Sequence, residues 1–78
     1  MEYVKAGELE QAVTEFRAVL ANNPNYSYAY FHGGQTLEKI GLIDDARKMY
    51  ESGIETAGRI GDQKALAELE AALELLPL

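Results

Sequence analysis

The sequence predicts an all-α fold built on a helical hairpin that recurs along the chain. Three observations carry this. From Tyr30 to Gly58 apolar residues recur at helical spacing on both sides of Gly41: Tyr30, Leu37 and Ile40 before it, and Ile43, Ala46, Tyr50 and Ile54 after it. A glycine just past the last periodic residue stops a helix, because it enters the left-handed region without a Cβ clash. Asp44 and Asp45 then sit where a second helix starts and favour its N-terminal dipole. The hairpin also repeats: Gly7, Leu9, Ala12, Phe16 and Leu20 each stand 34 residues before Gly41, Ile43, Ala46, Tyr50 and Ile54. One offset that holds a turn glycine, a small residue and an aromatic in register is hard to obtain by chance.

In chain order, residues 1–6 read as a helical stub that ends at Gly7, the last part of a first helix in which Tyr3 corresponds to Leu37. The next helix spans Glu8 to Asn22, with the apolar stripe Leu9, Ala12, Val13, Phe16, Val19 and Leu20. Asn22 and Asn23 suit its C-terminal cap, and Pro24 cannot continue it. A helix opening at Asn25 or Tyr26 runs to Ile40, and its partner runs from Asp44 to near Ala57. Gly58-Arg59-Ile60-Gly61 is expected to be a connection bracketed by glycines. Asp62 is then an N-cap for DQKALAELEAALELL, a segment rich in the strongest helix formers. Its stripe is Leu66, Leu69, Ala72, Leu73 and Leu76, and Pro77 ends it.

Composition narrows the function classes. The 78 residues make one domain at most, with a modest core. There is no cysteine, hence no disulfide staple and no thiolate metal site. That leaves the redox compartment open with a lean to the cytosol, so a cytoplasmic location is the expectation. No apolar run approaches the ~20 residues of a membrane span, and MEYVKAGELE is too acidic and polar for a signal peptide. A formal charge of −6 repels phosphate backbones, which argues against nucleic acid, and it steers basic or neutral partners at long range. The blander role of that charge is solubility.

The chain resembles the tetratricopeptide repeat family, whose period of about 34 residues and helix–turn–helix unit it shares. Within Ser27 to Ile60, Tyr30 matches the early aromatic and Gly34 the small residue of the first helix. Leu37 matches the large residue one turn on, Gly41 the turn, Ile43 and Ala46 the start of the second helix, and Tyr50 its aromatic. Asn23-Pro24-Asn25 resembles the turn that closes a preceding repeat. The resemblance implies a short α–α superhelix: residues 1–26 as an incomplete first repeat, 27–60 as a complete one, and 61–78 as a capping helix over the open end. Gly33 stands where the family has a large aliphatic residue, Gly53 where it has Ala, and Gly58 where it has Pro. Helix-interior glycine costs about 1 kcal/mol relative to Ala, so these are expected to loosen the hairpin without changing its topology.

Candidate chemistry is sparse. His32 is the sole histidine, with no second ligand or base at helical spacing, so no catalytic residue, metal or cofactor is expected. Gly33-Gly34 lies within a helical pattern and is no nucleotide fingerprint. Glu68, Glu70 and Glu74 read as a solvated face. Tyr28, Phe31 and Gln35 follow the i, i+3, i+7 progression of one helical side, apart from Tyr30. The resemblance makes that side the concave groove, with Tyr28, Phe31, His32, Gln35 and Lys39 as residues for a peptide or partner helix. The alternative for Tyr28 and Phe31 is packing on a neighbouring helix. Some tetratricopeptide domains hold a C-terminal carboxylate with Lys, Asn and Arg; the matching places here are His32, Asp62 and Leu66, which lack those groups. The expected function is therefore a non-catalytic interaction module. The competing class is self-assembly, most simply a homodimer. Part of the stripe Val13, Phe16 and Leu20 would then face water, while the stripe Leu66, Leu69 and Leu73 of the last helix sits behind a glycine-bracketed connection that could open, so that two copies cover each other's stripes face to face or by exchanging that helix.

Overall fold

The computed structural model describes residues 6–77, which form four α-helices: α1 (Ala6–Asn22), α2 (Ser27–Ile40), α3 (Ile43–Ile60) and α4 (Gln63–Glu74). They stack in chain order, α1 on α2, α2 on α3 and α3 on α4, and α2 also meets α4. The expected stub over residues 1–6 lies outside the described residues but for Ala6, which already belongs to α1.

Two glycines make the tight turns. Gly41 (φ 95°) and Gly61 (φ 78°) adopt the left-handed conformation after α2 and α3. At the first, the Gly41 amide donates to Glu38 and the Leu42 amide donates to Leu37 at 2.9 Å, which satisfies the orphan carbonyls of α2. At the second, the Asp62 amide donates to Ala57 at 2.9 Å. The Asp62 side chain then accepts from the Ala65 amide at 3.1 Å and caps α4, as its sequence position implies.

Gly7 is not a turn. It sits inside α1 without the positive φ of Gly41, so the 34-residue correspondence fails at that one landmark. Gly58 is also helical. Rather than ending near Ala57, α3 continues to Ile60, and only Gly61 is left-handed. A glycine lowers helix propensity but stops a helix only where the chain turns away. The last helix is shorter than expected and ends at Glu74.

The core draws one fully buried large side chain from each of three helices: Leu37 of α2, Tyr50 of α3 and Leu69 of α4. Val13 of α1 joins them. Full burial of such a side chain contributes about 1.5–3 kcal/mol. Val13, expected on the water-facing stripe, is thus a core residue, and Leu69, expected to be available for self-association, is closed inside one chain at 0% exposure. Phe16, Leu20, Leu66 and Leu73 are half-buried. Ala46 is fully buried whereas Ala12 is only partly covered, because α1 has a single neighbour among the described helices.

Gly33, Gly34 and Gly53 are contact positions, whereas Gly7 and Gly58 face open space. A Cβ on Gly34 would enter the Tyr50 ring, and one on Gly53 would stand 2.6 Å from the Tyr30 Cβ and 2.9 Å from Leu69. Gly33 faces the Met49 side chain. These residues let α2 and α4 approach α3 closely; their effect is tight packing, not the looseness that propensity alone implies.

Candidate functional site

The neighbouring faces of α2 and α4 leave an open groove of about 270 Å³, lined by Phe31 and Gln35 from α2 and by Glu68, Ala71, Ala72 and Leu75 from α4 and its C-terminal end. Its α2 wall contains two of the residues read from sequence. Leu75 is 83% exposed, the most exposed large apolar residue in the described chain.

The other sequence candidates divide. Tyr28 and His32 are not part of the groove lining; they belong to a gathering of four rings that reaches α1 through His32. His32 stacks on Phe16 of α1 with centroids 6.3 Å apart and planes 16° apart, and Tyr28 lies 4.9 Å from His32. Phe31 joins both, edge-on to Tyr28 at 6.2 Å and to His32 at 5.6 Å. Phe31 is therefore shared by the ring cluster and the groove, and it also lies 6.4 Å from the buried Tyr50 ring. Lys39 is exposed and is not part of the groove lining. Phe31 thus opens onto the groove, while Tyr28 packs on Phe31 and His32 of its own helix, His32 being the ring that reaches α1.

The α4 wall was missed in the sequence for a definable reason. Measured from α1 and α2, α3 runs four residues longer than the 34-residue offset allows, and the turn after it is two residues, 61–62, instead of the four of 23–26. The net shift is two, so α4 corresponds to α2 at 36 residues. Ala29, Tyr30, Gly33 and Leu37 then match Ala65, Leu66, Leu69 and Leu73, all buried or partly buried. In that register His32, Gln35 and Lys39 correspond to Glu68, Ala71 and Leu75, which are groove residues. The place assigned from sequence to Leu66 is held by Glu68, and that assigned to Asp62 by Lys64. In the sequence the apolar spacing of Ala65, Leu66, Leu69 and Leu73 repeats that of Ala29, Tyr30, Gly33 and Leu37 two residues later than the 34-residue offset, and the uniform Ala/Leu/Glu composition of the helix obscures it.

Electrostatics around the groove are lopsided. One carboxylate oxygen of Glu68, Oε2, is shielded from solvent and has no hydrogen-bond partner among the described residues. The ion pair in the described chain is elsewhere, Arg47 with Asp44 at 3.0 Å, and Arg47 also donates to the Pro77 carbonyl at 3.0 Å, pinning the C-terminal end to α3. Behind the groove the buried Tyr50 hydroxyl donates to the Glu38 carboxylate. Burial first, then the hydrogen bond and the negative charge of Glu38, push the Tyr50 phenol well above the usual tyrosine range. It is a fixed donor, not an acid–base group near neutrality. Among the described residues no three His, Asp or Glu side chains converge on a metal-sized space, and no helix is long and apolar enough to cross a membrane.

No protein-family model matches the chain, and no curated protein does. Among solved structures it is similar to a tetratricopeptide repeat domain protein from Salinibacter ruber, determined by solution NMR, at a TM-score of 0.80 and 35% sequence identity. The match covers 85% of this chain and 67% of that one.

Proposed function

This chain belongs to the tetratricopeptide repeat family, and from that premise we propose that it is a non-catalytic interaction module that takes a peptide or partner helix into the groove between α2 and α4. One observation carries the reading: the exposed Leu75 and the half-buried Phe31 present apolar surface from α4 and α2 to one groove, which the small residues Ala71 and Ala72 also line. Apolar side chains of a ligand bury there, while Gln35 and Glu68 orient its polar groups. Lys39 and the ring pair Tyr28–His32 extend the same helix beyond the groove and contribute at its margins. In this role α4 both closes the core and supplies half of the binding surface.

Replacing Tyr28 and Phe31 by Ser tests the reading. Partner binding weakens at least tenfold while the far-ultraviolet helical signal persists, because neither residue is among the fully buried ones. Loss of most of the helical signal instead marks both as core and defeats the proposal.

A second reading, self-association, rests on the half-buried row Leu9, Ala12, Phe16 and Leu20 of α1, which α2 covers only in part. It uses a different face from the groove, and the stripe residues Val13 and Leu69 take no part in it, being buried within one chain.

A further inference from the structure

The groove carries one feature that an apolar cleft does not need. Glu68 is part of its lining, and the Oε2 of that carboxylate is hidden from water without a hydrogen-bond partner among the described residues. A polar oxygen in that state has lost hydration without compensation, a condition that folded proteins relieve by pairing. Lys64, one turn earlier on α4, is exposed and makes no ion pair with it. The adjoining surfaces are Phe31 and the apolar Ala72 and Leu75, and the chain carries a net charge of −6. From this juxtaposition we infer that the groove selects segments bearing a lysine or arginine beside an apolar residue, with the cation paired to the Glu68 carboxylate through its open oxygen, Oε1, and its aliphatic stem along Phe31 and Leu75. The inference rests on the groove reading above and specifies its ligand.

The chemistry is self-consistent. A long basic side chain covers apolar wall with its methylenes and places its charge at the end. A guanidinium or ammonium near the Phe31 face gains from the ring quadrupole, and a charge-assisted hydrogen bond to a shielded carboxylate is stronger than a neutral one. The long-range field of an acidic chain draws such a segment in. The same charge disfavours a second copy of this chain as the occupant of this groove.

The test is a selection from a phage-displayed library of random twelve-residue peptides on the intact protein, repeated on Glu68→Gln and on Leu75→Ser. Leu75 is almost fully exposed, so its loss does not endanger the fold, and Glu68→Gln removes an oxygen that has no partner to lose. The expected result is enrichment of Lys or Arg next to Leu, Phe or Ile on the wild type. On Glu68→Gln the basic preference disappears while the apolar one stays, and a synthetic copy of a selected peptide binds about tenfold more weakly. Leu75→Ser weakens binding of every selected peptide. Apolar peptides with no basic preference, or a preference unchanged by Glu68→Gln, overturn the inference and leave the groove standing. Failure to enrich any peptide on the wild type, or enrichment indifferent to Leu75→Ser, overturns the groove and the inference together.

Discussion

Tyr50 shows at the level of one residue how a family landmark becomes a physical constraint. Its ring is fully buried against α2, closely enough that position 34 must be glycine, and its hydroxyl is committed to Glu38. The raised phenol pKa has a consequence for stability against pH. Below about pH 10 the phenol is protonated in both the folded and the unfolded chain, and its contribution is fully present. As pH rises past that point the unfolded chain ionises first while the native state keeps its proton, so stability falls. The expected outcome is a melting midpoint that declines between pH 9 and 11 more steeply in the wild type than in Tyr50→Phe. Parallel slopes for the two proteins would show that the Tyr50–Glu38 pair does not govern alkaline stability. The sequence shows that an aromatic belongs at position 50; it does not show that Glu38, twelve residues earlier, is its acceptor.

At the scale of elements, the helices and their glycines separate into two kinds that composition cannot distinguish. Gly53 and Gly58 both lie inside α3. At Gly53 an added methyl would press on Tyr30 and Leu69, whereas at Gly58 it would meet nothing within 4 Å. Gly53→Ala is therefore expected to destabilise by about 1–3 kcal/mol through overpacking, more than its gain in helix propensity. Gly58→Ala is expected to stabilise by up to about 1 kcal/mol. Chemical denaturation of the two variants checks the pair, and equal shifts of the same sign would count against the helix spacing seen between α3 and its neighbours. The turns are better encoded. Gly41 and Asp62 do what their places in the sequence imply, since capping and left-handed turns are satisfied by atoms a few residues apart. The α1–α2 turn is held from farther away: Tyr30 donates to the Pro24 carbonyl at 3.0 Å, and Arg59 donates to the Asn25 side chain at 3.1 Å.

At the scale of the whole molecule, two surfaces are left for a partner among the described residues: the α2–α4 groove and the half-covered apolar row of α1. The self-association reading belongs to the second. It predicts a mass that rises with concentration in light scattering across a dilution series, and a single-chain mass throughout for Phe16→Ser. A constant single-chain mass for the wild type up to high micromolar concentration excludes the dimer and leaves the groove as the interaction surface. Groove binding makes the opposite use of concentration: the mass stays constant until a peptide is added.

By itself the sequence determined the all-α class, the four helices, the hairpin at Gly41, the cap at Asp62 and the family, because each is written in contacts within one or two helical turns or in a repeat of them. It also marked Phe31 and Gln35, whose shared helical side follows from their spacing. The tertiary structure alone decided that Gly34 and Gly53 are sites of close approach, that Gly7 and Gly58 are ordinary helix, and that Val13 and Leu69 are core. It alone placed Glu68, Ala72 and Leu75 opposite Phe31, through a two-residue shift of α4 set by the length of α3 and the shortness of the turn at Gly61. Those outcomes depend on distances between segments far apart in the chain, and a helical period, being a local quantity, fixes which residues share a side of a helix but not what that side meets.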